Sequence, residues 1–290
     1  MDSRASGTRA LVGISGWRYP RWRGDYYPTG LTQRRELAYV AERMDSVELN
    51  GSFYSLQRPE SYRRWRSEVP PGFVFAVKGG RFITHMKRLA GVETALANFF
   101  ASGVLALGPQ LGPVLWQLPE RQDFDGPLLE SFFDQLPRST SQALTLARGH
   151  DDRLQGRVHL EIEADLPLRH SLEVRHPSFL GDGPTALLRS HGIGLVIADT
   201  AGRWVEPRAI TSSLVYVRLH GSRELYTSGY TDEELDDWAA RIGRWLDGSG
   251  TPDGDPRDVV VYFDNDAAGH APFDAERLRD RLRALTGGQP

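Results

Sequence analysis

Eight short apolar runs, each stopping at a polar or charged residue, set the pattern of this chain. Leu11 to Ile14 runs into Ser15, Gly16 and Trp17. Val47 and Leu49 flank Glu48 and lead to Asn50. Phe73 to Val77 ends at Lys78, and Pro113 to Trp116 ends at Gln117. Leu172 and Val174 enclose Glu173 and lead to Arg175. Gly194 to Ala198 ends at Asp199, Leu214 to Leu219 carries Arg218 and ends at His220, and Val259 to Phe263 ends at Asp264 and Asn265. Runs of this length, with helical spacing between most of them, predict strands of a parallel sheet. Eight of them predict a single irregular TIM (β/α)8 barrel, whose active site lies where the C-terminal strand ends converge.

The intervening segments predict the helices. Thr32 is placed to cap a helix over 33–44, and Pro59 to start one through Trp65. Further helices are expected over 92–103, 126–136, 183–191 and 273–286. Thr231-Asp232-Glu233-Glu234 is a capping-box sequence ahead of a helix to Leu246. The connection between strands 4 and 5 is enlarged, and is expected to add a helix near 140–152 and a strand over 157–162. Residues 200–213 show little helical pattern, so strands 6 and 7 are expected to be joined by a loop. Residues 1–10 are expected to be a flexible leader and 11–290 one domain.

Strand side chains alternate faces with period two. That rule collects a polar set for the upper barrel: Glu48 with Asn50, Lys78, Gln117, Glu173 with Arg175, Asp199, Tyr216 with Arg218 and His220, and Asp264. The set mixes signs, which favours interlocked ion pairs gripping a polar substrate over an acidic metal cluster; buried charges need such partners.

Composition narrows the chemistry. The net charge of −3 carries no long basic run, so nucleic acid is not an expected partner, although the arginines at 18, 21 and 23 beside aromatic residues leave that alternative open. There is no cysteine, which removes thiolate chemistry and is compatible with a cytoplasmic setting. No run is long enough to span a membrane. Lys78 and Lys87 are the only lysines, so lysine chemistry has two places to occur.

With these residues in place, the chain resembles the YecE-like proteins, domain of unknown function family 72. The resemblance rests on Gly13-Ile14-Ser15-Gly16-Trp17, Val47-Glu48-Leu49-Asn50 with Phe53-Tyr54, Phe75-Ala76-Val77-Lys78, Ile83-Thr84-His85, Gln117-Leu118-Pro119, Glu173-Val174-Arg175-His176, Arg218-Leu219-His220-Gly221 and Phe263-Asp264-Asn265-Asp266. It covers roughly residues 11–280 and implies a TIM barrel, with sugar isomerases as an analogy of fold alone. Asp264 stands where the resemblance leads one to expect asparagine.

The leading expectation is an enzyme acting on a small polar molecule such as a sugar or sugar phosphate. Its catalytic candidates are Glu48, Lys78, His85, Glu173 and His220, with Glu173 or Glu48 moving a proton and a histidine as partner. Trp17, Asn50, Tyr54, Gln117, Arg175, Asp199, Arg218, Asp264 and Asn265 are the substrate-binding candidates. No cofactor is predicted. The alternatives are a metal-dependent hydrolase using a divalent ion and a non-catalytic barrel binding nucleic acid or protein.

Overall fold

The computed structural model describes residues 8–285 and 287. Residues 1–7, most of the expected leader, lie outside the described residues, as does residue 286 at the end of the last expected helix. The chain is already in a strand at Ala10.

Nine parallel strand segments form one sheet: β1 Ala10–Ser15, β2 Ser46–Leu49, β3 Val74–Lys78, β4 Leu111–Gln117, β5 His170–Glu173, β6 Gly194–Leu195, β7 Ile197–Asp199, β8 Leu214–Leu219 and β9 Asp258–Phe263. Their order is β6-β5-β4-β3-β2-β1-β9-β8-β7, so the sheet curls until its two ends are consecutive pieces of chain. The sixth of the eight expected strands is split at Val196, whose N–H still reaches the Leu172 carbonyl at 3.0 Å. Thr211 supplies a reason for the split. Its hydroxyl accepts from the Leu195 N–H and donates to the Ile193 carbonyl, doing for β6 what a ladder partner would do.

Two apolar layers follow from the strand period. Val12, Ile14, Val47, Leu49, Phe75, Val77, Trp116, Leu172 and Leu195 pack outward against the helices. Leu11, Ala76, Leu115, Val196, Ala198, Leu214, Tyr216, Val260 and Tyr262 fill the barrel interior. Within the interior the Tyr262 and Ser46 hydroxyls meet at 2.6 Å, and Ser46 donates to the Val74 carbonyl.

The helices are α1 Glu36–Ala41, α2 Gly51–Tyr54, α3 Pro59–Ser67, α4 Glu93–Ala101, α5 Gly126–Asp134, α6 Thr140–Ala147, α7 Asp182–Ser190, α8 Asp232–Leu246 and α9 Ala271–Leu285. The capping box of α8 is formed in both directions, Thr231 Oγ1 accepting from the Glu234 N–H and Glu234 accepting from the Thr231 N–H. Helix α1 is shorter than its spacing predicts. Its first turn is a 3-10 turn at Gln33–Arg35, and the Thr32 side chain makes no cap bond. The added helix between β4 and β5 is α6. The added strand over 157–162 is not formed: Val158, Leu160 and Ile162 lie in extended chain packed on the outer core, with His159 N–H bonded to the Ala101 carbonyl. Residues 200–213 contain no helix. No helix of the described residues is long and apolar enough to cross a membrane.

Candidate active site

The strand ends deliver a buried ionic knot centred on Arg218 of β8. Its side chain is fully enclosed, and its guanidinium donates to three carboxylates from three other strand ends. Nε and Nη2 hold Glu48 at 3.0 and 2.8 Å, Nη1 holds Glu173 at 2.7 Å, and Nη2 also reaches Asp264 at 2.9 Å. Two further donors complete Glu48: the Tyr216 hydroxyl at 2.6 Å and the Ser15 hydroxyl at 2.6 Å. Ser15 accepts in turn from Asn50 Nδ2 at 2.6 Å. Glu173 is held on its other oxygen by the Nε and Nη2 of Arg175, whose guanidinium lies over the Trp204 ring at 3.6 Å. A planar fork with five N–H donors suits such multiple recognition, and a lysine could not substitute for it.

The electrostatics follow from this geometry. Burial works to raise the Glu173 carboxyl, but Arg218 and Arg175, with His220 and Lys78, outweigh it and hold the group far below the usual carboxylate range. Asp264 is drawn down to about 2; burial again opposes, and Arg218 and His220 prevail. His220 Nδ1 is 3.1 Å from Asp264 Oδ2, close enough to form an ion pair when protonated, but off the line of a proper hydrogen bond.

Lys78, at the end of β3, is treated differently. It is buried on the same inward face as Ala76, yet no hydrogen bond or ion pair among the described residues reaches its Nζ. The ammonium rests over the Phe53 ring at 4.7 Å. Burial, and next the Arg218 charge, push it down to about 8, against the pull of Glu48, Glu173 and Asp264. Its backbone is tightly fixed: Ser52 donates to the Lys78 carbonyl at 2.6 Å, and a side chain at Gly79 would strike the Trp116 ring at 2.2 Å. That contact accounts for the glycine at position 79.

His85 also packs on Phe53, at 5.1 Å between ring centroids. It is carried by a π-helical turn, Phe82–Met86, a geometry often found at functional sites. Burial, then Arg175 and Lys78, lower its pKa and favour the neutral ring. Gln117 is buried at the end of β4 with no side-chain hydrogen bond among the described residues, and Asn50 Oδ1 is buried without a partner.

Glu48, Asn50, Lys78, Gln117, Glu173, Arg175, Arg218, His220 and Asp264 thus converge on one mouth, with His85 beside them. Four expected binding residues do not join them. Asp199 turns outward. Because Val196 and Ala198 fill the interior, Ile197 and Asp199 take the opposite face, and Asp199 lines a flank cavity of about 330 Å³ with Glu206, Tyr230 and Trp238. Trp17 is buried edge-on against Trp65 in the outer core. Asn265 donates to Asp274 of α9 and to the Ser228 carbonyl in the loop after β8. Tyr54 is 66% exposed. The rest of the aromatic loop is equally committed to packing: Trp22, Tyr26 and Tyr27 are buried, which removes the aromatic half of the basic-aromatic surface expected around Arg18, Arg21 and Arg23.

Sequence reasoning missed three groups. Trp204 and Tyr226 come from loops and both pack near His220. Asp266 lies beside the Tyr19 hydroxyl, and burial together with Asp264 raises it to about 6. Asp266 was visible at the end of the last strand run; its titration depends on neighbours that only the fold assembles. Beside the mouth, the loops after β4, β5 and β7 enclose a cleft of about 610 Å³ whose wall includes Arg175, Trp204, Arg121 and Glu120.

A family model described as "Protein of unknown function DUF72" matches residues 11–289. The chain belongs to the DUF72 family. The UPF0759 protein YecE of Escherichia coli is 25% identical over 195 residues, a match covering 65% of this chain and 58% of YecE. The UPF0759 protein YunF of Bacillus subtilis is 23% identical, covering 93% of this chain and 94% of YunF. Among solved structures, a DUF72 family protein from Thermotoga maritima superposes with a TM-score of 0.73 at 22% identity, over 95% of this chain and 99% of that one. A DUF72 family protein from Enterococcus faecalis gives 0.67 at 16% identity, over 94% and 95%. These likenesses support the barrel; none of them brings a reaction.

The donor set also bears on the metal alternative. Glu48, Glu173 and Asp264 already accept from Arg218, whose guanidinium lies among them. A divalent ion shared by these three carboxylates would have to displace that guanidinium.

Proposed function

We propose that this DUF72 protein is an enzyme that binds a small polar or anionic molecule of sugar or sugar-phosphate type at the barrel mouth and moves a proton on it. The observation that carries this reading is Lys78: a largely buried lysine whose amine has no hydrogen-bond partner among the described residues, in a mouth where Glu48, Glu173 and Asp264 are all engaged by arginine. Leaving a buried ionisable group unsatisfied costs stability, and such groups cluster at functional sites. The unpaired Asn50 Oδ1 and the free amide of Gln117 supply matching polar contacts.

The roles expected from sequence are redistributed. Glu173 is held too far down to carry a proton at neutral pH. Glu48 and Glu173 position Arg218 and Arg175. The groups suited to proton transfer near neutrality are Lys78 and Asp266, because a catalytic pKa works best close to the operating pH, and His85, favoured in its neutral form, can accept a proton beside them.

The test is thermal melting of wild type and Lys78→Met at pH 7 with inorganic phosphate and a panel of aldose and ketose phosphates, followed by NMR in D2O with any compound that binds. The reading expects at least one sugar compound to raise the wild-type Tm, loss of that rise in Lys78→Met, and exchange of a substrate C–H for deuterium. A panel without effect on the wild type, or a rise that survives the substitution, overturns it.

A further inference from the structure

The three carboxylates of the knot are balanced by Lys78, Arg175 and Arg218, but only the arginines make hydrogen bonds to them. Lys78 is therefore a cation whose charge fits its surroundings while its nitrogen lone pair, once freed, has no competing partner. An amine that is desolvated next to another cation is a recognised way of activating a lysine as a nucleophile. The Phe53 ring beneath the Nζ shields it on one side, and Ser52 and Gly79 fix the backbone that carries it.

We propose that Lys78 is an imine-forming nucleophile that captures a small aldehyde or ketone entering the mouth. This rests on the reading that the mouth takes a small polar substrate, and it narrows that substrate to one with a free carbonyl. The neutral amine attacks the carbonyl carbon; the C–N bond forms as the π pair moves to oxygen. The nitrogen loses one proton and the oxygen gains one, giving a carbinolamine. A second proton on the hydroxyl lets it leave as water while the nitrogen lone pair forms the C=N bond. No electron is gained or lost overall, and addition of water reverses the sequence. The protonated imine carries the same single positive charge as the lysine ammonium, so the balance with Glu48, Glu173 and Asp264 survives the step. His85, packed on the same Phe53 ring and favoured in its neutral form, carries the amine proton to the carbonyl oxygen, and solvent supplies the second proton, equal to the one the ammonium released on becoming neutral.

Lys87 provides an internal standard, because it is exposed on the turn after His85 and is the only other lysine. The experiment treats the full-length protein at pH 7.5 with glycolaldehyde and sodium cyanoborohydride, then follows reductive alkylation of the Lys78 and Lys87 peptides by mass spectrometry. With Lys78 near 8 and an ordinary lysine near 10.4, the neutral fraction differs by roughly a hundredfold. Allowing for the lower nucleophilicity of the weaker base and for shielding, alkylation of Lys78 is expected to be at least ~10-fold faster than that of Lys87. Its rate should be half-maximal near pH 8, and the adduct should be absent from this peptide in Lys78→Arg. Labelling of Lys78 no faster than that of Lys87 overturns the proposal, whether the cause is poor nucleophilicity or occlusion. If sugar phosphates still stabilise the protein through Lys78 in that case, the proton-transfer reading stands and only imine formation is lost; if neither result is obtained, both fall.

Discussion

Arg218 at the end of β8 and Lys78 at the end of β3 face the same mouth, and their surroundings differ in kind. Every face of the Arg218 guanidinium is met by an acceptor, three of them carboxylates. The Lys78 ammonium has an aromatic ring and, among the described residues, no hydrogen-bond acceptor. Burial alone therefore does not separate structural from chemical groups. What separates them is whether the buried charge is met by hydrogen bonds. A cation held by hydrogen bonds ties the barrel end together, whereas one without them stays available to a ligand.

The sharpest way to break this contrast is Arg218→Met. It takes the arginine from two buried carboxylates and a partly buried one, and breaking a buried ion pair from one side costs about 3–5 kcal/mol. Urea denaturation should show a loss at least this large, or a protein that does not fold. A variant of near wild-type stability would mean that the knot is not the support its geometry suggests.

Lys78→Met should move stability in the other direction. The folded amine sits at about 8 against 10.5 when unfolded, so the unfolded chain binds more protons between those values and wild-type stability rises with pH through that window. Below pH 8 the lysine costs up to ~3 kcal/mol, the shift converted at about 1.4 kcal/mol per unit. Lys78→Met is accordingly expected to be more stable than wild type at pH 7, with the gap closing toward pH 10. Denaturation at the two pH values checks this; destabilisation at pH 7 would show that the amine is satisfied after all.

Asp264→Asn sharpens the other side. Asp264 is depressed from 3.8 to about 2, so its contribution is present above about pH 4 and lost as pH falls through 2. Replacement should cost ~2 kcal/mol at pH 7 and almost nothing at pH 2. Glu173, held lower still, should leave a residual acid sensitivity in the variant. The smallest effect belongs to Asp199→Asn. That residue lies on the outer face, so stability should stay within about 0.5 kcal/mol and any ligand-induced Tm shift should be unchanged.

The barrel was legible because burial on both faces produces short apolar runs, and because polar residues end them. The inward set was legible where the strand is continuous: Glu48, Lys78, Gln117, Glu173, Arg218 and Asp264 all lie on the face that period two assigns. It failed at Asp199, where the chain breaks ladder at Val196 and the inner positions are Val196 and Ala198. The alternation of Val158, Leu160 and Ile162 misled for a related reason. Period two marks any half-buried extended chain, but a strand also needs an open sheet edge, and this sheet curls back on itself. The neutral-range titration of Asp266 and the isolation of Lys78 were not legible at all, because both depend on which neighbours arrive from distant strands.

The helix-free link between β7 and β8 has a consequence for how this scaffold can be altered. A helix ties each residue to a repeating spacing and to a fixed packing face. Residues 201–209 carry no such obligation, and two positions apart they send Trp204 over Arg175 at the mouth and Glu206 back to the Thr200 amide on the flank. Up to residue 209, short of the Thr211 hydroxyl that bonds the β6 backbone, the link behaves as an exchangeable cassette: grafts there can rewrite what the mouth grips while the strand ladder is inherited intact.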